Sequence, residues 1–270
     1  MDLAYLQGQL KGRRLGWPFL YYARVSSTQD VVAAAAAEGA AEGLLVLAEE
    51  QTAGRGRSGR EWWAPPGTAI LGSLLLRPRL APQRVSWLGM IVGLAVTDAV
   101  HQCTGLPAAL KWPNDVWLFG RKLGGILVEA MWHGETLDAV IVGLGLNVTT
   151  SFPPSSPLRE RAISLQAAGV TVRREGILVT YLTRLGEYYD RLLAGWSPVA
   201  LWRERLCTLN RPVYVLKDEE RWEGWAEDVT ELGELVVRRG NNRVVVQAAD
   251  VHLRHMEDAR GEEPSCGGAA

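Results

Sequence analysis

Short apolar runs alternate with helical patterns through most of the chain. The runs are bounded by glycine, proline or polar residues and lie at 44–48, 68–76, 109–112, 125–129 and 139–147. Apolar residues at helical spacing fill three longer segments, 82–103, 176–194 and 198–209. Short bounded runs are typical of buried strands, whereas longer periodic segments are typical of helices that cover a core. This alternation predicts an α/β or α+β domain built on a β-sheet.

A further helix is expected directly before the first of these runs. Ser27 is followed three residues later by Asp30, which resembles a helix-capping pattern, and an alanine-rich run then extends to Glu38. Residues 1–24 carry no pattern that predicts an element.

The pattern changes after Asn210. Short apolar runs separated by polar turns lie at 213–216, 222–229, 234–237 and 243–246. Several short strands joined by turns are typical of a small all-β barrel. The tail is rich in glycine, glutamate and alanine, a composition that favours disorder. We therefore divide the chain into a large sheet domain at 1–209, a small β domain at 210–256 and a disordered tail at 257–270.

The composition is that of an ordinary globular protein. Hydrophobic residues make up 47% of the chain and the net charge is -1, so overall charge gives no argument for a nucleic-acid partner. The three cysteines are far apart and imply no disulfide framework, and they form no metal-ligand spacing with the four histidines. No secretory segment or long uninterrupted apolar run occurs. We expect a soluble cytoplasmic protein with no structural metal and no membrane partner.

The segment Gln51–Arg60 alternates glycine with arginine between two predicted strands. Glycine permits close approach of the backbone, backbone amides can cradle an anion, and arginine offers a bidentate fork for phosphate or carboxylate. The spacing matches neither a P-loop nor a Rossmann fingerprint. Anion binding is the favoured interpretation, and a flexible linker or an RNA-binding tract is the alternative.

Three later segments place polar residues or glycines at the ends of predicted strands. In the first, Asn114 and Asp115 could bind phosphate and Mg²⁺ or form a plain turn. In the second, Lys122 precedes two glycines and an apolar strand, so its ammonium could enter a cleft or stay solvated in a turn. The third, Gly143–Asn147, has glycines in a strand-like run, which indicates either close approach of a ligand or sheet packing alone.

Taken in order, these segments resemble the successive signature segments of the biotin protein ligases. The matching segments are Gln51–Arg60, Lys111–Val116, Lys122–Glu129 and Gly143–Val148. The resemblance is strong over residues 25–150, and residues 211–255 resemble the family's small SH3-like C-terminal domain more weakly. It implies an α+β fold, in which a catalytic domain with a mixed β-sheet covered by helices precedes a small SH3-like β-barrel. It also implies ATP-dependent activation of biotin to biotinyl-5'-AMP, then transfer to a lysine of a biotin carboxyl carrier protein.

The same resemblance implies the residues of the site. Lys122 and Arg57 would be catalytic and would stabilise charge around the activated carboxyl group. Biotin would be bound by Ser27, Thr28, Gln29, Gln51, Arg55, Gly56, Arg57 and Lys122. ATP would be bound by Arg57, Trp62, Lys111, Asn114, Asp115 and Asn147, with Mg²⁺ held on Asp115. Gln29 stands where the family more usually has asparagine, and Ser58 where some members have another arginine.

This chemistry has further consequences for the chain. The biotin carboxylate and the α-phosphate are both anionic, and Arg57, Lys122 and Mg²⁺ would offset their repulsion. A glycine-hinged loop at 54–62, mobile without ligand, would order over the adenylate and exclude water. Because the first ligand motif begins at Ser26, we expect no DNA-binding domain and no DNA partner. We also expect a homodimer through a sheet edge, with 134–142 as the candidate strand.

Three other functions stay open on the sequence alone. A lipoate or octanoate ligase or transferase shares the catalytic fold, and the acid that supports pyrophosphate release would distinguish it. An RNA-binding module would use the arginine-glycine loop, but no RNP or KH signature occurs. A biotin-sensing protein without turnover is disfavoured by the presence of both Lys122 and Arg57.

Overall fold

The computed structural model describes the backbone of residues 1–217, 220–247 and 250–253. The chain divides into two compact units, Met1–Cys207 and Thr208–Ala270. The tail at 257–270, expected to be disordered, lies outside the described residues. Among the helices of the described part, none is both long and apolar enough to cross a membrane.

The first unit, which is described throughout, combines a seven-stranded sheet with six α-helices. The helices are α1 (Leu3–Leu10), α2 (Thr28–Ala37), α3 (Ser86–Thr104), α4 (Leu158–Arg161), α5 (Arg174–Leu193) and α6 (Val199–Glu204). The strands are β1 (Phe19–Tyr22), β2 (Leu45–Ala48), β3 (Ala69–Leu76), β4 (Ala109–Lys111), β5 (Asp115–Leu118), β6 (Arg121–His133) and β7 (Thr136–Asn147). The strand order is β1-β2-β3-β7-β6-β5-β4. The pair β1–β2 is parallel and the other pairs are antiparallel, so the expected mixed sheet covered by helices is confirmed.

Helices α3 and α5 pack against each other, and α3 covers one face of the sheet. A β-carbon at Gly93 of α3 would lie 3.6 Å from Ile126, and one at Gly89 would lie 3.6 Å from Val128. Side chains alternate between the two faces of a strand, so Ile126 and Val128 face α3 while Gly125 and Glu129 face away from it. The face of the sheet opposite α3 carries Gly125 and Glu129 of β6 and their cross-strand partners on β7.

Helix α2 covers part of that face. Val32 and Ala36 on the helix form a buried cluster with Leu75 of β3 and Ile141 of β7. The capping pattern is confirmed: Ser27 is the N-cap, and its side chain accepts a hydrogen bond from the backbone amide of Gln29. α2 packs mainly on β2, β3 and β7, and at its first turn the Gln29 side chain reaches Glu129 of β6.

The segment 134–142, the candidate strand for the dimer, lies inside the sheet from Val140 onward and extends past the end of β3 before that residue. β7 pairs with β6 along its length and with β3 from Val140 onward. The Arg77 guanidinium also donates to the backbone and side-chain oxygens of Asp138. In this fully described unit the outer strands are β1 and β4, and residues 136–139 of β7 pair with β6 but not with β3, so a dimer through this segment stays a prediction.

The described part of the second unit is a five-stranded antiparallel sheet in the order β11-β10-β9-β8-β12. Its strands are β8 (Arg211–Lys217), β9 (Glu220–Val229), β10 (Leu235–Arg239), β11 (Asn242–Val246) and β12 (Asp250–Leu253). A short meander of this kind fits the expected SH3-like domain. Between the described residues of β11 and β12 there is no pairing that closes the sheet into a barrel.

Candidate active site

Three glycines form a bare strip on the sheet face that α3 does not cover. Gly143 and Gly145 lie on β7, and Gly125 of β6 is the cross-strand partner of Gly145. A β-carbon at Gly145 would stand 2.4 Å from the Trp62 ring, and one at Gly143 would stand 3.0 Å from the Gln29 side chain. Only glycine permits such close approach, so the side chains of Trp62 and Gln29 pack directly on the backbone here. We call the three glycines the floor of the site.

Polar groups at the start of α2 border one end of the floor. The Thr28 hydroxyl and backbone amide both bond to Oε1 of Gln51, at 2.9 and 2.7 Å. The same hydroxyl lies 2.8 Å from the hydroxyl of Ser73, the cross-strand partner of Gly143. These hydrogen bonds bring the two predicted biotin-binding segments together, although they are far apart in the chain.

Gln29 lies beside Thr28 and is linked to a group of charged residues. Its Nε2 donates to Oε2 of Glu129 at 2.9 Å, across a sequence separation of 100 residues. The same Glu129 oxygen lies 3.0 Å from Nη2 of Arg55, which also pairs with Asp30 at 2.9 Å. Gln29 is 4% exposed, and its Oε1 has no hydrogen-bond partner among the described residues.

The arginine-glycine loop folds back on itself above this face. The amide of Trp62 donates to the carbonyl of Gly54 at 2.8 Å, and the amide of Gly56 donates to the carbonyl of Arg60 at 2.6 Å. A β-carbon at Gly54 would be 2.5 Å from the Trp62 carbonyl, so glycine is required there for steric reasons. Ser58 has a φ of 55°, in the left-handed region that costs a side chain energy.

The end of the loop brings Trp62 to the floor, next to Lys122. The Lys122 ammonium lies 5.6 Å from the centroid of the Trp62 ring, a cation–π geometry. It also forms an ion pair with Oδ1 of Asp115 at 2.6 Å. Nε1 of Trp62 is buried and has no hydrogen-bond partner among the described residues. Lys122, Asp115 and Trp62, which were predicted for catalysis, Mg²⁺ binding and nucleotide binding, therefore lie side by side.

Asn147 ends β7 close to Lys122. Its Nδ2 donates to the carbonyl of Ile163 at 3.2 Å, and the amide of Ile163 donates to the carbonyl of Lys122 at 2.9 Å. Oδ1 of Asn147 is buried without a partner among the described residues, although it can accept hydrogen bonds. This acceptor is therefore available to a donor group of a ligand.

Two predicted residues make structural contacts instead of facing the floor freely. Nδ2 of Asn114 donates to the carbonyl of Ile126 at 2.6 Å, which fixes the turn before β5. Lys111 is 8% exposed, and its ammonium lies 5.3 Å from the centroid of the Trp117 ring. It is the cross-strand partner of Asp115, so it borders the site through the β4–β5 hairpin.

Sequence reasoning missed three residues of the site. Ser73, Asp30 and Glu129 hold predicted ligand residues in place but were not themselves selected. Ser73 is the one polar side chain in an otherwise apolar strand, and this could have identified it as a site residue. No local signal identified Asp30 or Glu129, because their partners come from distant segments.

Comparison with known proteins agrees with this geometry. A family model described as the biotin/lipoate A/B protein ligase family matches residues 21–147. The biotin--[acetyl-CoA-carboxylase] ligase of Mycobacterium tuberculosis is 37% identical over 266 residues, covering 94% of this chain and 96% of that protein. The bifunctional ligase/repressor BirA of Bacillus subtilis is 31% identical over 250 residues, covering 90% of this chain and 76% of that protein.

A solved structure has the same fold. The biotin protein ligase from Aquifex aeolicus in complex with biotin and ATP superposes with a TM-score of 0.75 at 26% identity. The match covers 87% of this chain and 98% of that one.

Proposed function

The chain belongs to the biotin protein ligases, and from this premise we propose that it joins biotin to a lysine of a biotin carboxyl carrier protein. In the first step a biotin carboxylate oxygen attacks the α-phosphorus of ATP, and the bond from that phosphorus to the bridging oxygen breaks. Pyrophosphate leaves and biotinyl-5'-AMP remains. In the second step the lysine amine attacks the acyl carbon, AMP leaves with the electron pair of the broken bond, and the amine loses a proton as the amide forms.

The observation that carries this proposal is the position of Lys122. Its ammonium lies between the Asp115 carboxylate and the Trp62 ring, beside the glycine floor. Attack of a carboxylate on a phosphate brings two anions together, and a fixed cation at that point stabilises the transition state. Arg57, in the loop above the floor, is proposed as the second catalytic cation. No covalent enzyme intermediate is needed, because the two substrates react with each other.

Biotin occupies the end of the floor that lies by α2. The side chains proposed to bind it are Ser27, Thr28, Gln29 and Gln51, together with Arg55, Gly56 and Arg57 of the loop and the Lys122 ammonium. The buried hydroxyl and amide groups suit a polar, uncharged ring, and the cations suit the carboxylate at the far end.

ATP occupies the other end of the floor. Trp62 offers an aromatic face for the base, and the buried Oδ1 of Asn147 offers an acceptor for an amino or hydroxyl donor. Lys111 and Asn114 would act mainly by holding the β4–β5 hairpin in place, because their side chains make structural contacts.

Asp115 is the residue proposed to hold Mg²⁺. No cluster of three or more metal-ligating side chains occurs in the described part of the chain. A single carboxylate still fits, because Mg²⁺ with a nucleotide usually takes one or two carboxylates and completes its shell with phosphates and water. Bound there, Mg²⁺ would supply charge neutralisation of the triphosphate. Asp115 itself places its carboxylate beside Lys122.

Three further expectations belong to the proposal. The loop at 54–62 is proposed to be mobile without ligand and to exclude water from the adenylate when it closes. The protein is proposed to work in the cytoplasm without a DNA partner. It is also proposed to form a homodimer through a sheet edge, with 134–142 as the candidate strand.

Pyrophosphate release tests this proposal directly. Purified protein with ATP and Mg²⁺ is given biotin, lipoate, octanoate or no acid, and each reaction is repeated with Lys122→Ala and with Lys11→Ala. Lys11 is an exposed residue at the end of α1, so its variant is the matched control. We expect release with biotin alone, lost by about 100-fold or more in Lys122→Ala and kept in the control. Release with lipoate or octanoate instead, or equal rates in both variants, would overturn the proposal.

A further inference from the structure

The carbonyl oxygen of the Gln29 side chain is a buried acceptor that the fold does not satisfy. Gln29 is 4% exposed, and its Oε1 has no partner among the described residues. The oxygen lies above the backbone of Gly143, where a β-carbon would stand 3.0 Å from it. A buried acceptor without a donor costs free energy, so its retention indicates a donor that arrives with a ligand.

Glu129 fixes which end of the Gln29 amide faces the floor. An ionised carboxylate can only accept hydrogen bonds, so the Gln29 NH₂ group must point towards it and the carbonyl must point away. Reversing the amide would place two oxygens against each other. The orientation is therefore set by the chemistry of the partner as well as by the space available.

Glu129 also connects this amide to the arginine-glycine loop. Its Oε2 lies 3.0 Å from Arg55, whose guanidinium pairs with Asp30 in the first turn of α2 as well. The start of the loop is thus tied to the same carboxylate that orients Gln29. Movement of Arg55 with the loop would therefore alter the surroundings of Glu129. Replacement of Glu129 would remove a partner from both Arg55 and Gln29.

We propose that Glu129 is a positioning residue that presents the Gln29 carbonyl oxygen to a ring N–H of the acid substrate. This inference rests on the proposed function, since biotin carries a cyclic urea with two N–H donors. The ring of lipoate and the chain of octanoate carry no such donor and leave Oε1 unsatisfied. A site built to receive a hydrogen bond rejects analogues that lack the partner. Gln29 and Glu129 together therefore help to select biotin over other acids.

The first test measures biotin binding by calorimetry without ATP. Glu129→Gln keeps the shape of the side chain but lets the Gln29 amide turn either way. We expect its biotin Kd to rise about 10-fold, because the Gln29 carbonyl oxygen no longer faces the ligand in every molecule. Glu135→Gln, in the exposed β6–β7 turn, is the matched control and should bind like the wild type.

The second test uses biotin methylated at one or the other ring nitrogen. The wild type should bind one of the two methyl isomers much more weakly than the other, and Gln29→Leu should lose most of that difference. A variant that only disturbs folding would weaken both isomers alike. Thermal unfolding of each variant, with and without biotin, checks that the fold is kept.

The outcomes separate this inference from the function on which it rests. If the wild type binds no biotin, the proposed function fails. If the wild type binds biotin but Glu129→Gln binds it equally well, or Gln29→Leu discriminates between the isomers as the wild type does, the positioning role is wrong and the ligase assignment stands.

Discussion

The indole ring of Trp62 rests on the backbone of Gly145. A β-carbon at that glycine would lie 2.4 Å from the ring, closer than any real contact, so the ring occupies the space that a side chain would fill. The Lys122 ammonium lies 5.6 Å from the centroid of the same ring. The absence of a side chain at Gly145 therefore allows Trp62, at the end of the loop, to lie on the sheet next to Lys122.

Replacing Gly145 with alanine should displace Trp62. We expect the KM for ATP to rise about 10-fold or more, because stacking of a base on an aromatic side chain is worth about 1–3 kcal/mol. The intrinsic tryptophan fluorescence should also change on ATP addition less than in the wild type. Gly176→Ala is the matched control, since nothing lies within 4 Å of a β-carbon there. Unchanged ATP kinetics in Gly145→Ala would show that Trp62 has no part in nucleotide binding.

The Asp115→Asn variant should separate the two roles proposed for that carboxylate. It removes the ion pair with Lys122 and the proposed Mg²⁺ ligand while keeping the side-chain shape. We expect the Mg²⁺ concentration for half-maximal rate to rise several-fold and kcat to fall about 10-fold. The measurement is a Mg²⁺ titration of pyrophosphate release at saturating biotin and ATP. An unaltered Mg²⁺ dependence, with kcat alone reduced, would leave Asp115 as a partner of Lys122 and not a metal ligand.

The parts of the fold that depend on local signals could be predicted from the sequence. The start of α2 follows from one serine side chain bonding to a nearby amide, and the buried strands follow from apolar runs. β1 was missed because Phe19–Tyr22 is short and partly exposed, and it becomes a strand only by pairing with β2. No strand was predicted at 115–118, where β5 forms by pairing with β4 and β6.

The sequence motifs predicted several residues that the fold brings together, but they predicted neither the contacts between them nor Ser73, Asp30 and Glu129. The sequence motifs predicted that Gln29, Lys122 and Asn147 belong to the site, and the fold brings these residues to one face of the sheet. The bond between Gln29 and Glu129 joins residues 100 positions apart, so it depends on strand register and helix placement that no local pattern carries. The same holds for Asn114, whose amide bonds to the Ile126 backbone across a hairpin.

A buried carboxylate should contribute strongly to the stability of the first unit. Asp98 on α3 accepts hydrogen bonds from Arg184 and Tyr188 of α5 and from Arg205 after α6. Burial raises its pKa, but these donors outweigh burial and hold the pKa below its usual value. Removing it takes a shared carboxylate away from two partly buried guanidinium groups and from the Tyr188 hydroxyl, so Asp98→Ala should lower the free energy of unfolding by about 3 kcal/mol. Urea denaturation measures this.

Two companion variants test the size of the Asp98 effect. Tyr188→Phe removes one hydrogen bond from the same group and should cost about 1 kcal/mol. Asp190→Ala removes an exposed ion pair with Arg14 and should change the free energy of unfolding by under about 1 kcal/mol. Equal losses in the Asp98 and Asp190 variants would contradict the role assigned to the buried group.

Acid should destabilise the protein through Glu49. Burial raises the pKa of this carboxyl group, but hydrogen bonds from Arg174, the N-terminal ammonium and Tyr21 bring it to about 2, below its ordinary value of 4.5. A lowered folded-state pKa gives stability that is fully present above pH 4.5 and is lost as the pH falls towards 2. In urea denaturation at pH 7, 4 and 3, Glu49→Gln should be less stable than the wild type by about 3 kcal/mol at pH 7, with the gap narrowing as the pH drops. Glu50→Gln, at the neighbouring position, is the control and should keep the wild-type acid dependence. Parallel stability curves for wild type and Glu49→Gln across this range would show that Glu49 titrates alike in the folded and unfolded chains.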